Sequence, residues 1–202
     1  MIGVALILII VYCVYFLPYP LLKLLLHGKV AYQNETCDVL FTFDDSPTPS
    51  TPAILDCLHK HHIKAVFFIL TDNIPGNESV LDRIVREGHT LGNHGAHDRM
   101  HLFLTDAEFE AELVQSDRQL RRWQSPQWFR PGFGFFSDAM LATLKRHHYT
   151  VMLGTVFPYD SFIQVPQVNM WYVQQKLRCG SIVVLHDRPW TPPMLDLLFA
   201  RA

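Results

Sequence analysis

The sequence predicts a parallel α/β domain behind an apolar N-terminal segment. Six short apolar runs alternate with six helical stretches along residues 39–202. Strict alternation argues for parallel strands, because these can be joined only by crossovers, usually helical. Residues of reactive type, mainly Asp, His and Arg, fall just after the apolar runs. In parallel sheets, ligand sites lie at those carboxyl ends. Both a barrel and an open sheet satisfy this pattern. Charged residues make up 18% of the chain and the formal net charge is −2, so there is no basic footprint for nucleic acid.

Each element has a local reason. Val39–Phe43 is an apolar run that reads as a buried strand. Ser50 or Thr51 then caps a helix with Pro52 at its first position, running to about His61. Ala65–Leu70 is the second strand and Glu78–Arg86 the second helix, closed by Gly88. Thr90–Asn93 is a short third strand. The capping box Thr105-x-x-Glu108 opens a long helix to about Trp123. Gln127–Arg130 and Thr150–Val156 are strands four and five, followed by helices at about Ser137–His147 and Val168–Arg178. Ser181–Leu185 is the sixth strand, and a sixth helix begins at Thr191. Residues 30–38 read as a polar lead-in. His61-His62 and His147-His148 fall at helix C-termini, where imidazolium suits the helix dipole, and are read as structural.

Residues 1–29 are set apart by composition. Ile2–Leu17 is an apolar run, extended past Pro18 and Pro20, with no charged side chain before Lys23. About 20 apolar residues span a bilayer, so a membrane anchor is expected, with a cleaved signal segment as its rival. Lys23 and Lys29 favour a cytosolic domain. The acceptor triplets at Asn34 and Asn77 favour the lumenal or outer side, which is the expectation taken, with secretion if the segment is cleaved. Cys37 and Cys179 each stand seven residues before a candidate site residue, Asp44 and His186. They are within reach of pairing if their strands are neighbours, but two ordinary buried thiols are expected.

Four clusters carry chemistry. Asp44 and Asp45 close an apolar strand, which is costly unless they are paired or metal-bound; a turn or cap is the bland alternative. In Gly92-Asn-His-Gly-Ala-His-Asp98, with His101 beyond, imidazoles and a carboxylate suit Zn²⁺ or a similar divalent ion with one position open for water. Arg130 sits between aromatics and a Pro-Gly turn, where it can fix a carboxylate; a structural strand-to-helix turn is the alternative. His186 leaves the apolar run Ser181–Leu185, with a capped core histidine as the bland alternative.

Taken in order, TFDDSP, GNHGAHD, FRPGFG, FPYDSF and IVVLHD resemble the polysaccharide deacetylase family, carbohydrate esterase family 4, which includes chitin and peptidoglycan deacetylases. The resemblance covers about Val39 to the C-terminus. It implies a distorted (β/α)7-type barrel and metal-dependent removal of N- or O-acetyl groups from carbohydrate, with Zn²⁺ first and Co²⁺ second as cofactor. By position, Asp44 matches the family's catalytic base and Arg130 the arginine that orients it. Asp45 and His94 match metal ligands. Asp98 stands where the family has a second histidine ligand, with His97 as the alternative and His101 also close. His186 matches the general acid and Asp160 the aspartate that tunes it. Gly132 or Phe133 offers a backbone N–H to the oxyanion, Phe162 stands for an aromatic wall, and Leu185 joins the pocket wall. Ser46 departs from the usual glycine. Against family members, the final barrel strand is missing, which leaves two sheet edges unpaired. Two domains are expected: an anchor or signal segment over 1–29, and a deacetylase-like domain over 30–202. The implied partners are an acetylated polysaccharide or oligosaccharide and a membrane. A non-catalytic glycan-binding relative or a truncated, inactive product is the alternative.

Overall fold

The structure, a computed structural model, describes residues 30–31 and 36–200. Seven parallel strands form one sheet: β1 Val30–Ala31, β2 Leu40–Ser46, β3 Ala65–Ile69, β4 Thr90–Asn93, β5 Trp128–Phe129, β6 Thr150–Met152 and β7 Ile182–His186. The helices are α1 Thr51–Lys60, α2 Glu78–Arg86, α3 Asp106–Leu120, α4 Asp138–Arg146, α5 Pro166–Lys176 and α6 Thr191–Phe199. The capping box at Thr105 and Glu108 is formed, and proline stands in the first turn of α1.

Strand order settles the choice between a barrel-like curl and an open doubly wound sheet. The order is β1-β6-β5-β4-β3-β2-β7, so strands β2 to β6 follow one another side by side and β7 returns to β2. The chain just past β6 then reaches β7. Val156 bridges Val183 in parallel, and Val184 N–H donates to Val156 O at 2.9 Å. The result is a curled half-barrel drawn together at one point.

Three sequence expectations change here. The lead-in contributes a strand, β1, which pairs with β6 through Val30 and Val151. This brings the count to seven, with β1 and β7 at the two edges of the sheet and the isolated Val156 bridge on β7. Strand β6 ends at Met152 and does not run to Val156, because the chain crosses to β7 there. A Cβ on Gly154 would meet Val184 Cγ2 at 2.3 Å and Ile182 O at 2.9 Å, so only glycine permits this approach.

Cys37 and Cys179 are disulfide-bonded, correcting the expectation of free thiols. The reason lies in the register. Leu40 pairs with Ile182 and Asp44 with His186, an offset of 142 residues. The two cysteines share that same separation of 142 and so fall side by side.

The expected membrane-anchored placement is also corrected. No helix among the described residues is long and apolar enough to cross a membrane. Segment 1–29, which carried that expectation, lies outside the described residues, as does the acceptor Asn34. Asn77 is described: it stands at the N-cap position of α2, and its side-chain amide donates to Asn73 O at 2.8 Å.

Strand parity sorts the side chains. In β2 and β3, Phe41, Phe43, Phe67 and Ile69 face the helices and join the main core with Ile54, Leu55 and Leu58 of α1 and Leu195 and Leu198 of α6. Each such side chain, fully buried, is worth about 1.5–3 kcal/mol. The alternate residues Val66, Phe68, Met152 and Ile182 form a small separate cluster, packed by Trp128, on the concave face. A second helix-side core, with Phe109, Phe129 and Leu144, lies under α3 and α4. The concave parity, continued to the strand ends, delivers Asp44, His94, Arg130 and His186 to one place.

Replacing Cys37 or Cys179 by Ser should lower the denaturation midpoint. The chain-entropy cost for so long a loop is at most about 5 kcal/mol. An unchanged midpoint in non-reducing buffer would show that the bond contributes nothing to stability.

Candidate active site

A cavity of about 760 Å³ opens at the carboxyl ends of the strands, within the size range of small-molecule sites. Adjacent strand residues normally point to opposite faces, yet Asp44 and Asp45 both line it. A register irregularity between Phe43 and Ser46 explains this: three residues of β2 span what two span on β3. Asp45 takes φ 65° at the bulge and swings its carboxylate inward. Ser46 is not the positive-φ residue, so the glycine usual at that position is not required. Instead, Ser46 Oγ donates to Asp187 Oδ2 at 2.9 Å.

Arg130 is the centre of the polar network. Its Nη1 donates to Asp44 Oδ1 at 2.6 Å and to Thr42 Oγ1 at 2.8 Å, and its Nε to Met152 O at 3.0 Å. Its guanidinium carbon lies 4.0 Å from the centroid of the Phe68 ring. Burial alone would push the Asp44 carboxyl up. The Arg130 charge, helped by His94 and His186, outweighs it and holds the group below the usual carboxylate range. Asp45 moves the other way: burial raises it, His94 pulls it back, and the Asp44 charge adds to the rise.

His94 Nδ1 lies 2.6 Å from Arg130 O. A carbonyl only accepts, so Nδ1 carries the proton and the Nε2 lone pair is free to ligate. That Nε2 is 3.6 Å from Asp45 Oδ1. Asp45, His94 and Asp98 each offer a ligand atom within 4.8 Å of the others. One imidazole and two carboxylates, with an exposed third member, fit a divalent ion with an open position. His97 is not part of this group; its Nδ1 faces Asp72 Oδ2 at 3.3 Å. His101 is buried and accepts from Gly132 N–H through Nδ1 at 2.9 Å, and burial pushes it down to about 3. It serves the loop and is not among the donors gathered with Asp45 and His94.

Across the cavity, Asp160 holds His186 twice. Oδ1 meets His186 Nδ1 at 2.8 Å, and Oδ2 accepts the His186 backbone N–H at 2.7 Å. Burial would lower this imidazole, but Asp160 wins and raises it to about 9.

Two sequence expectations fail in the wall. Leu185 is fully buried in the helix-side core with Phe43, and its strand neighbour Val184 lines the cavity instead. Parity decides this, since 182, 184 and 186 share the concave face. Gly132 does not line the cavity, and its N–H is committed to His101. A Cβ there would meet Arg99 O, so Gly132 is present for close packing. Phe133, at φ 59°, and Phe162 both line the mouth and are exposed.

Two residues escaped notice in the sequence. Arg188 Nη2 donates to Asp45 Oδ2 at 2.6 Å. Asp187 is fully buried and accepts from the hydroxyls of Ser46, Thr48 and Thr51, tying the β2 turn to the end of β7. The run Asp187-Arg188 after His186 was the available signal, but nothing local marks which charges turn inward.

A curled parallel sheet with ion-paired carboxylates and an Asp–His pair at its strand ends is a layout suited to hydrolysis. The polysaccharide deacetylase family model matches residues 32–152, and the chain belongs to that family. It is 29% identical over 166 residues to a peptidoglycan-N-acetylglucosamine deacetylase of Bacillus cereus, covering 79% of this chain and 78% of that one. It is 30% identical over 156 residues to a chitooligosaccharide deacetylase of Bradyrhizobium, covering 75% and 71%. Among solved structures, a mutant of BA3943, a family 4 pseudoenzyme from Bacillus anthracis, carries restored enzymatic activity. It superposes with a TM-score of 0.78 at 27% identity, over 84% of this chain and 64% of that one.

Substituting Arg130 by Met should cost about 3–5 kcal/mol, because Asp44 is left as an unpaired buried charge. The double variant Asp44→Asn/Arg130→Met should recover part of that loss in denaturant titration. A single variant no less stable than the double one would contradict the pairing.

Proposed function

We propose that the chain hydrolyses the acetyl group of N-acetylated glycans, with residues 30–202 as the catalytic domain. One observation carries the reading. A carboxylate held ionised by Arg130 and an imidazole held protonated by Asp160 face the same cavity, beside a donor set that fits a divalent cation. The two relatives named above act on glycans that share the N-acetylglucosamine unit. Exposed Phe133, Phe135, Phe157 and Phe162 line the cavity and offer faces to the C–H side of a sugar ring. All reacting groups are present, which favours an enzyme over a glycan-binding pseudoenzyme.

Asp45, His94 and Asp98 would hold the cation, with Arg188 steadying Asp45 by its 2.6 Å contact. When bound, a divalent ion, Zn²⁺ in the first instance, supplies polarisation of the acetyl carbonyl and acidification of water. Asp44 takes a proton from the attacking water as its oxygen bonds to the carbonyl carbon. With the Gly132 N–H committed to His101, the Phe133 N–H is the donor assigned to the oxyanion. His186 then gives its proton to the amide nitrogen as the C–N bond breaks, leaving acetate and a free amine. Asp160 keeps that imidazole oriented and charged throughout.

Acetate release from N-acetylated chitooligosaccharides tests the proposal. Asp44→Asn should abolish release while bound metal stays at the wild-type level; loss of metal together with activity would overturn this division of roles. The general acid works only when protonated, so activity should fall as pH rises through about 9. Asp160→Asn removes the partner that raises His186 and should move this alkaline limb towards neutral pH. An unmoved limb would exclude His186 as the titrating group.

A further inference from the structure

A second cluster of ligating side chains lies in the helical layer, outside the cavity. Cys57, His61 and Asp196 each offer a donor atom within 4.8 Å of the others. Cys57 and His61 are four residues apart at the end of α1, so they share a face. Asp196 comes from α6, which packs against α1 through Leu195, Leu198 and Phe199. Helix α1 leaves the C-terminal end of β2 and runs back along the sheet. Its last turn therefore lies towards the end opposite the cavity.

We infer that Cys57, His61 and Asp196 form a peripheral Zn²⁺ site that staples α1 to α6. The donor chemistry supports this. Thiolate, imidazole and carboxylate are the three ligand types zinc takes, at about 2.3 Å for sulfur and 2.0–2.2 Å for nitrogen or oxygen. The thiol donates to Asp196 Oδ1 at 3.4 Å, roughly the separation of two ligands around one tetrahedral ion. Two anionic ligands and one neutral imidazole cancel the charge of a divalent cation. That suits a group of which Cys57 is buried, His61 half-buried and Asp196 exposed, with the fourth position facing solvent. The His61 ring is steadied by Phe199, with ring centroids 5.1 Å apart.

Without a cation, burial and then the Asp196 carboxylate push the Cys57 thiol up to about 12, so it stays protonated and unreactive. A coordinating ion inverts this logic: the thiol proton leaves and the carboxylate shares the ion with the sulfur. Among the described residues Cys57 is the free cysteine, and the cavity's donor set contains no sulfur. With Cys13 replaced by Ser, a thiolate signature in the bound metal reports this site alone.

The full chain, with Cys13→Ser added to every protein tested, would be purified without reductant, stripped with a chelator and titrated with Co²⁺. A near-ultraviolet thiolate-to-cobalt charge-transfer band is expected in the wild type and in Asp45→Asn, and Zn²⁺ should bleach it. Cys57→Ser should abolish the band. His61→Gln and Asp196→Asn should each weaken it several-fold at fixed Co²⁺, which keeps the test open if Cys57→Ser fails to fold. Zn²⁺ should raise the melting temperature of Asp45→Asn but not of Asp45→Asn/Cys57→Ser. No band in the wild type at excess Co²⁺, or a band that survives Cys57→Ser, overturns the site and leaves only a thiol–carboxylate hydrogen bond.

Discussion

The buried Arg130 guanidinium is the contact on which the rest of the site depends. It leaves the end of β5 and crosses the concave face to Thr42 and Asp44 of β2, resting on Phe68 of β3 and bonding a carbonyl of β6. Its own carbonyl receives His94 from the end of β4. Five consecutive strands are thus held by one residue. A lysine would not reproduce this, because the contacts use a planar, forked donor set against several acceptors at once. A buried ion pair is weak evidence for net stability, since desolvation opposes the attraction. What this pair does contribute is an ionised carboxylate in a place where burial alone would protonate it.

Two neighbouring aspartates are driven apart by their surroundings. Asp44 has Arg130 and is held low; Asp45 is raised by burial and by Asp44 itself, and finds Arg188 and His94. The bulge between Phe43 and Ser46 makes this possible by aiming both carboxylates at one cavity. Asp187 then fixes the bulge from below through three hydroxyls. Across the cavity, Asp160 does for His186 what Arg130 does for Asp44, with the opposite sign of charge. A carboxylate held ionised and an imidazole held protonated therefore face one cavity.

Much of this was legible along the chain. The helices at Thr51 and Asp106 carry their start signals locally, in Pro52 and in the Thr105–Glu108 box. The reactive residues were legible because apolar runs end on them, and strand direction alone places such ends together. Less legible were features that depend on a neighbour distant in sequence. Strand β1 has two residues and no period to read. Leu185 and Val184 look equally apolar, and only the parity of β7 against β2 separates them. Gly132 reads as a free turn glycine until Arg99 and His101 are seen packed against it.

The sequence by itself determined the alternation of strands and helices, the order of the motifs, and the identity of the groups able to hold a metal or move a proton. Those properties reside in composition and short-range spacing. The tertiary structure decided which of those groups share a cavity, which histidine lone pair is free, that Cys37 meets Cys179, and that Asp98 rather than His97 stands beside Asp45 and His94. Each of these is a register between strands or helices far apart in the chain. Register follows from how whole faces pack, which no local stretch of residues specifies.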